Sequence, residues 1–469
     1  MDTTIQFLGA AKNVTGSRYL LKTKGLSLLI DCGYYQEREF RERNWAPFSF
    51  NVGKLDAVLL THAHLDHCGL LPKLVKEGFE GSVYCTHATA EIVKIVLLDS
   101  AHIQQEDAEH KRARHARSGK KSKFDIKPLY TTEDAERCFP LFSPVAYEET
   151  IQIQGEIEVS FHDAGHILGS SMIQVKIDSE TIVFSGDIGR WDKPILQDPT
   201  CFDKADYVVM ESTYGNRIHE DNGSINDLLA EVIIATRKRG GNILIPSFAI
   251  GRTQEVLYRL DRLLIEDRIP HLQTFVDSPM AVSVTDVFKR HPELFDAEAL
   301  KMLSNDLSPF EMSNLRMVRS VSESKSINHI TGTAIIIAAS GMCTGGRIKH
   351  HLAQNIGRSR STILFVGYQA VGTLGRDIVE GNKEVRILGM HRKVKAKVAQ
   401  IHGFSAHADQ SELLKWLSPV IENEGSNRLK HVFVTHGEPK AANAFKQILE
   451  QHTHARITVP SFREKIALK

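Results

Sequence analysis

Cysteine is sparse in this chain and shows no pairing pattern. Cys32, Cys68, Cys85, Cys138, Cys201 and Cys343 are scattered over 469 residues without a single C-x-x-C. That excludes a disulfide framework and a thiolate zinc knuckle, and it fits reduced thiols in a cytoplasmic protein. Cys68 reads as a small apolar packer rather than a nucleophile. Neither sign of charge is in excess: 58 Lys and Arg stand against 57 Asp and Glu, for a formal net charge of +1. Bulk charge therefore marks out neither nucleic acid nor a membrane surface, and only local clusters carry that information. No apolar run approaches the ~20 residues that span a bilayer. The opening MDTTIQFLGA lacks the basic-then-apolar order of a secretory signal, so no membrane association is expected. Aromatics make up only 7%, with no aromatic RNA-recognition signature.

What the chain does have is a change of texture. Up to about residue 205, short runs such as LSLLIDCG, AVLLTH, IEVSFHD and TIVFSGD alternate with turns and a few helical stretches, the longest beginning ATAEIVKIVLL. From YVVMES onward, GNILIPS, QTFVDS, TAIIIAAS and STILFVG are nearly continuous apolar runs separated by helical patterns. Strands buried on both faces of a parallel sheet read this way. After VRILG the alternating texture returns. We therefore expect an α/β protein in three segments: residues 1–205 begin one domain, 206–395 form an inserted doubly wound domain, and 396–469 return to complete the first.

The densest chemistry lies in THAHLDHCG. His62 and His64 sit two apart at a strand end and share a side, and Asp66 and His67 follow in the turn. Imidazole and carboxylate without nearby thiolates suit an open, catalytic divalent-metal site. Other strand ends add His166 in AGHILGSS, Asp187 in IVFSGD and His436 in VFVTHGE, the last echoing VLLTH. Five histidines and two aspartates are enough for two metals that share one carboxylate.

H-x-H-x-D-H at His62–His67, with IDCG, GHILGS and SGD, resembles the metallo-β-lactamase fold. ESTYG at Glu211, FSAHAD at His407 and THGE at His436 are similar to motifs A, B and C of the β-CASP nucleases, and the resemblance covers essentially the whole chain. It implies an αβ/βα sandwich with an inserted β-CASP domain, and two zinc ions per chain. His62, His64 and His166 would hold one zinc; Asp66, His67 and His436 the other; Asp187 would bridge them. Asp31 would brace the ligand loop, Glu211 a neighbouring histidine, and His407 would stand near the leaving group as general acid while Asp66 orients the attacking water.

The substrate expected is single-stranded RNA, because RNA-acting members of the family carry histidine at motif C, where DNA-acting members carry valine. ASGMCTGGRIKHH, with Gly341, Gly345, Gly346, Arg347 and Lys349, and IPSFAIGRTQE, with Ser247 and Arg252, read either as phosphate cradles or as tight strand-to-helix connections. The basic run at 110–123 reads either as solvated surface or as a flap over RNA. Cleavage would be endonucleolytic, with 5′-to-3′ exonuclease action also open, and the resemblance is compatible with a homodimer. Three rivals stand beside this reading: a DNA nuclease, a small-ester or thioester hydrolase on the same metal core, and a scaffold subunit of an RNA-processing complex.

Overall fold

The computed structural model describes residues 3–118, 125–219, 224–304, 308, 310–423 and 429–469. Its contacts define two compact units: Met1–Trp191, Asp198–Ile218 and His407–Lys469 form the first, Asp192–Gln197 and His219–Ala406 the second.

The first unit contains two seven-stranded sheets. One runs in the order Lys465–Ala467, Thr4–Phe7, Tyr19–Thr23, Leu26–Ile30, Ala57–Leu59, Ser82–Thr86, Phe142–Val145. The other runs Arg456–Thr458, His431–Val434, Tyr207–Met210, Glu180–Phe184, Ser171–Ile177, Ile157–Asp163, Thr150–Ile153. Their inner faces meet in one core, where Ile5, Leu21, Leu28, Ile30 and Leu59 pack with Phe161, Ile173, Ile182, Phe184, Val209 and Phe433. The outer face of the second sheet is sealed by helices Gln410–Glu422 and Pro439–His452, through Leu413, Trp416, Leu417, Phe445 and Leu449. Helix His87–Ser118 lies along Ser82–Thr86 and Phe142–Val145 of the first sheet. This is the expected αβ/βα sandwich, and both ends of the chain help to build it: Ile5 pairs with Ile466. Helix Gln410–Glu422 starts where it does because Asp409 accepts the Ser411 and Glu412 amides while Glu412 reaches back to the Asp409 amide.

The second unit is built on an all-parallel six-stranded sheet, ordered Leu315–Met317, Gln273–Val276, Ala334–Ala338, Ile243–Pro246, Thr362–Phe365, Lys397–Gln400. The central Ala334–Ala338 is buried throughout, which explains its unbroken apolar text. Connecting helices include Ile225–Arg239, capped by the Ser224 hydroxyl and ended by Gly240 at φ +69°, and Arg252–Ile265.

Two boundary readings change. Tyr207–Met210 is continuous apolar text, yet it pairs between Glu180–Phe184 and His431–Val434 in the first unit. It looks like a parallel, two-sided strand because it is one, buried between the sandwich core and the helices outside. Lys397–Gln400, assigned from texture to the return, instead pairs with Thr362–Phe365 in the second unit. No helix among the described residues is long and apolar enough to cross a membrane, and all six cysteines are free.

Candidate metal centre

Each residue of the cluster leaves the carboxyl end of a strand in the first unit, or the loop just beyond it. Strand Ala57–Leu59 runs out into Thr61 and His62, and His64 opens the short helix Leu65–Cys68 that carries Asp66 and His67. That loop is pinned from below: the amide of Ser17 donates to the carbonyl of Asp66 (2.8 Å) and Cys32 to that of His67 (2.7 Å). Gly33 is the floor, since a Cβ there would come within 1.6 Å of the Asp66 carbonyl oxygen. In the other sheet, Glu180–Phe184, Tyr207–Met210 and His431–Val434 are parallel neighbours, so Asp187, Glu211 and His436 emerge side by side. His166 hangs from the loop after Ile157–Asp163, its amide held by Ser170 Oγ at 3.1 Å. His407 bridges to Gly189, and the next amide, Ala408, donates to the Ile188 carbonyl.

Two groups result, with Asp187 common to both. His62, His64, His166 and Asp187 place one ligand atom each within 4.8 Å of one another, as do Asp66, His67 and His436. Asp187 Oδ2 lies 3.4 Å from His62 Nε2 and 3.6 Å from His166 Nε2. Its Oδ1 lies 3.3 Å from His67 Nε2 and 3.5 Å from His436 Nε2. One oxygen thus faces each group. Asp31, fully buried, orients the second group: it accepts from Ser17 Oγ (3.0 Å), the Thr61 amide (2.9 Å) and His67 Nδ1 (2.6 Å). With Nδ1 donating, the lone pair of His67 is left on Nε2, facing inward. Thr61 Oγ1 does the same for His62 at 3.0 Å, and Thr213 Oγ1 for His436 at 3.1 Å. Ser17, Thr61 and Thr213 are not marked by the sequence as site residues; only Thr61, directly before His62, carries a local hint, while Ser17 and Thr213 lie in separate stretches.

Electrostatics separate the two groups. Burial pushes His62 and His166 below the usual imidazole value and His64 down to about 3, keeping them in the neutral, metal-binding form. Burial also opposes charge on His67, but Asp187 and Asp31 outweigh it and hold its pKa well above normal. Burial likewise opposes charge on His436, where Asp187 and Asp66 prevail. Asp187 resists its own burial because His436, His67 and His62 surround it, so it stays ionised.

A cation fits this donor set. Asp187 Oδ1 is buried without a hydrogen-bond partner. The facing nitrogens of His62 and His64 stand 3.0 Å apart, those of His67 and His436 3.1 Å, and those of His64 and His166 3.2 Å. Lone pairs converge this closely where a positive charge sits between them.

Models of three families match this chain in order: the metallo-beta-lactamase superfamily domain over residues 20–212, the Beta-Casp domain over 253–378, and the Zn-dependent metallo-hydrolase RNA specificity domain over 392–460. Ribonuclease TTHA0252 of Thermus thermophilus is 38% identical over 441 residues, which cover 94% of each protein. The chain belongs to the β-CASP ribonuclease family.

Other β-CASP relatives carry a different name. The transcription termination factor FttA of Methanosarcina mazei is 33% identical, the match covering 92% of this chain and 67% of that longer protein. A crystal structure of a protein of unknown function from Enterococcus faecalis shares the fold, with a TM-score of 0.56 at 12% identity and full coverage of both chains. The metallo-β-lactamase core implies a metal cofactor, and this β-CASP chain is accordingly a metal-dependent hydrolase acting on nucleic acid.

The residues expected to hold phosphate belong to the second unit. Arg347 turns inward, its guanidinium 2.6 Å from Asp277 Oδ1 and 2.6 Å from the Arg319 carbonyl. Asp277 is fully buried and needs that charge. The amides of Thr344 and Gly345 donate to Ser340 Oγ (3.0 and 3.2 Å) rather than outward. Gly346 is required by its backbone, at φ +71° with only 2.2 Å between a would-be Cβ and the Ala339 carbonyl. Gly341 lies beneath the Phe248 ring. Ser247 is buried and donates to the Phe248 carbonyl; Arg252 pairs with Glu255 at 3.2 Å; Lys349 reaches the Thr344 carbonyl at 3.4 Å. Of the basic run, residues 110–118 form the last turns of helix His87–Ser118, and 119–123 lie outside the described residues.

Proposed function

We propose that this chain is a cytoplasmic, two-zinc ribonuclease that cleaves single-stranded RNA internally. The observation that carries the reading is the split carboxylate of Asp187, with one oxygen toward each histidine group. His62, His64 and His166 would hold one ion and Asp66, His67 and His436 the other. Bound there, zinc supplies Lewis-acid activation of water and of a phosphodiester oxygen.

The chain's own groups complete the chemistry. Asp66, kept ionised by His436 against its burial, accepts a hydrogen bond from the attacking water and fixes its direction. His407 donates Nδ1–H to Glu211 at 3.1 Å, which orients the ring so that Nε2 can deliver a proton to the departing 3′-oxygen. Burial opposes charge on His407, but Glu211 and Asp187 raise its pKa to about 9, so the proton is in place at neutral pH. RNA is preferred over DNA on the match to an RNA specificity domain and the ribonuclease relative.

The test pairs metal analysis with cleavage of single-stranded RNA labelled at its 5′ end, for wild type, Asp187→Ala and His407→Ala. Internal fragments from wild type, about two zinc per chain, and inactive variants are expected. Mononucleotides released progressively would instead make it an exonuclease. Metal-loaded protein that leaves RNA intact would overturn the reading in favour of a small-ester hydrolase or a scaffold.

A further inference from the structure

The carboxyl edge of the second unit's sheet presents two large aromatic rings to water. Phe248 follows strand Ile243–Pro246 and Tyr368 follows Thr362–Phe365, which are hydrogen-bonded neighbours. Phe248 is 41% exposed and Tyr368 53%. A lone exposed aromatic is ordinary, but two on adjacent strand tips form a surface that needs a reason.

Their backbones are held. Gln369, itself buried, donates its side-chain amide to the carbonyls of Gly341 (3.0 Å) and Gly367 (3.1 Å), tying the two glycine loops together. Phe248 is anchored by Thr253, whose hydroxyl donates to its carbonyl at 2.7 Å. Its ring lies so close to Gly341 that a Cβ there would come within 2.9 Å of it, and a Cβ on Gly367 would stand 3.8 Å away. A ring fixed on glycine backbone, as that of Phe248 is, keeps a face open without losing order on binding. The surroundings are cationic as well as apolar: Lys349, in the first turn of helix Ile348–Asn355, reaches back to the Thr344 carbonyl of the Gly341 loop, and Arg376 lies within electrostatic reach of the Tyr368 hydroxyl.

We propose that Phe248 and Tyr368 form a stacking platform for unpaired RNA bases; this rests on the ribonuclease reading above. Every base offers a π-face, so such a platform binds single strands regardless of sequence, while nearby cations meet the phosphates. A paired duplex hides those faces. The platform thus gives the enzyme its selection for unpaired RNA.

The test is fluorescence anisotropy of a labelled single-stranded oligoribonucleotide, and of the same strand with abasic sites, on the full chain carrying His407→Ala to slow cleavage. Phe248→Leu and Tyr368→Ala are each expected to weaken binding of the intact strand about tenfold. Tyr368→Phe should bind as its parent does, and the salt dependence should keep its slope because no phosphate contact is lost. The abasic strand should bind weakly to the parent and lose nothing further in the variants. Equal affinities for all variants, or the same loss on the abasic strand, would overturn the platform. So would light scattering in which Tyr368→Ala only dissociates a dimer, which would make the patch a contact between copies. A metal-loaded parent that binds no single strand at all would sink the ribonuclease reading itself, a result distinct from variant-specific loss.

Discussion

Glu211 and His407 meet at 3.1 Å, and the same carboxylate oxygen also accepts the backbone N–H of Ile188 at 2.6 Å. The carboxylate is thus fixed by the loop that carries Asp187, and the imidazole is fixed by the carboxylate. His407 is raised to about 9 against burial, by Glu211 and then Asp187. The alkaline limb of kcat/KM should therefore fall near pH 9. In Glu211→Gln that limb should move toward the ordinary imidazole range, with activity at pH 8 down about tenfold. Metal content should not change. A pH–rate profile with an unmoved limb would rule out His407 as the proton donor.

Asp31 gathers Ser17, Thr61 and His67 at once. In Asp31→Asn, an amide N–H would confront those donors and His67 would lose its orienting acceptor. Metal affinity, measured by competition with a coloured chelator, should drop about 10–100-fold. Thermal unfolding of the metal-free chain should also weaken, because the buried donors lose their partner.

Metal uptake should release protons. Despite burial, nearby carboxylates raise the pKa values of His67 and His436, so the metal-free cluster holds protons that a cation must displace. Affinity should rise with pH through the neutral range. Titration calorimetry in buffers of different ionisation enthalpy should show net proton release, reduced in Asp187→Asn. Uptake that is independent of the buffer would contradict this.

Asp163 tests burial away from the ligands. Burial pushes its carboxyl from 3.8 up to about 7, against the Gly165 amide, which donates to the anion at 2.8 Å. The folded chain holds this proton more tightly than the unfolded one, so stability falls as pH rises from about 4 to about 7. Asp163→Asn keeps the acceptor without the charge. It should stabilise the chain at pH 8 by on the order of 1–2 kcal/mol, for a carboxylate still partly in water, which is read as a higher Tm, and leave the Tm unchanged at pH 4. An equal Tm at pH 8 would show that the anion is better solvated than its surroundings suggest.

His62, His64, Asp66 and His67 were legible because their spacing is local: a strand end and one helical turn bring them together without help from the rest of the fold. His166, Asp187 and His436 were legible as strand tips. The partnership of Glu211 with His407 spans 196 residues and depends on the sheet order and the Gly189–His407 bridge, neither of which appears in spacing. Arg347 shows the same limit: beside a glycine-rich turn it reads either as a phosphate ligand or as part of a tight connection, and its pairing with buried Asp277, 70 residues earlier, is not visible in the spacing. Phe248 lies in IPSFAIGRTQE, which reads as a cradle or a tight connection, and Tyr368 just past STILFVG; neither stretch says that the rings face water, which only the tertiary structure shows.

The interleaving of the two sheets has a consequence for biogenesis. A ribosome that has reached Ala406 has already made His62, His64, Asp66, His67, His166 and Asp187, but neither His407 nor His436. The strand His431–Val434 that aligns His436, the last of the proposed ligands, must still insert beside Tyr207–Met210, and Lys465–Ala467 beside the strand made first. The proposed metal centre therefore stays incomplete until His431–Val434 has been made and has taken its place beside Tyr207–Met210.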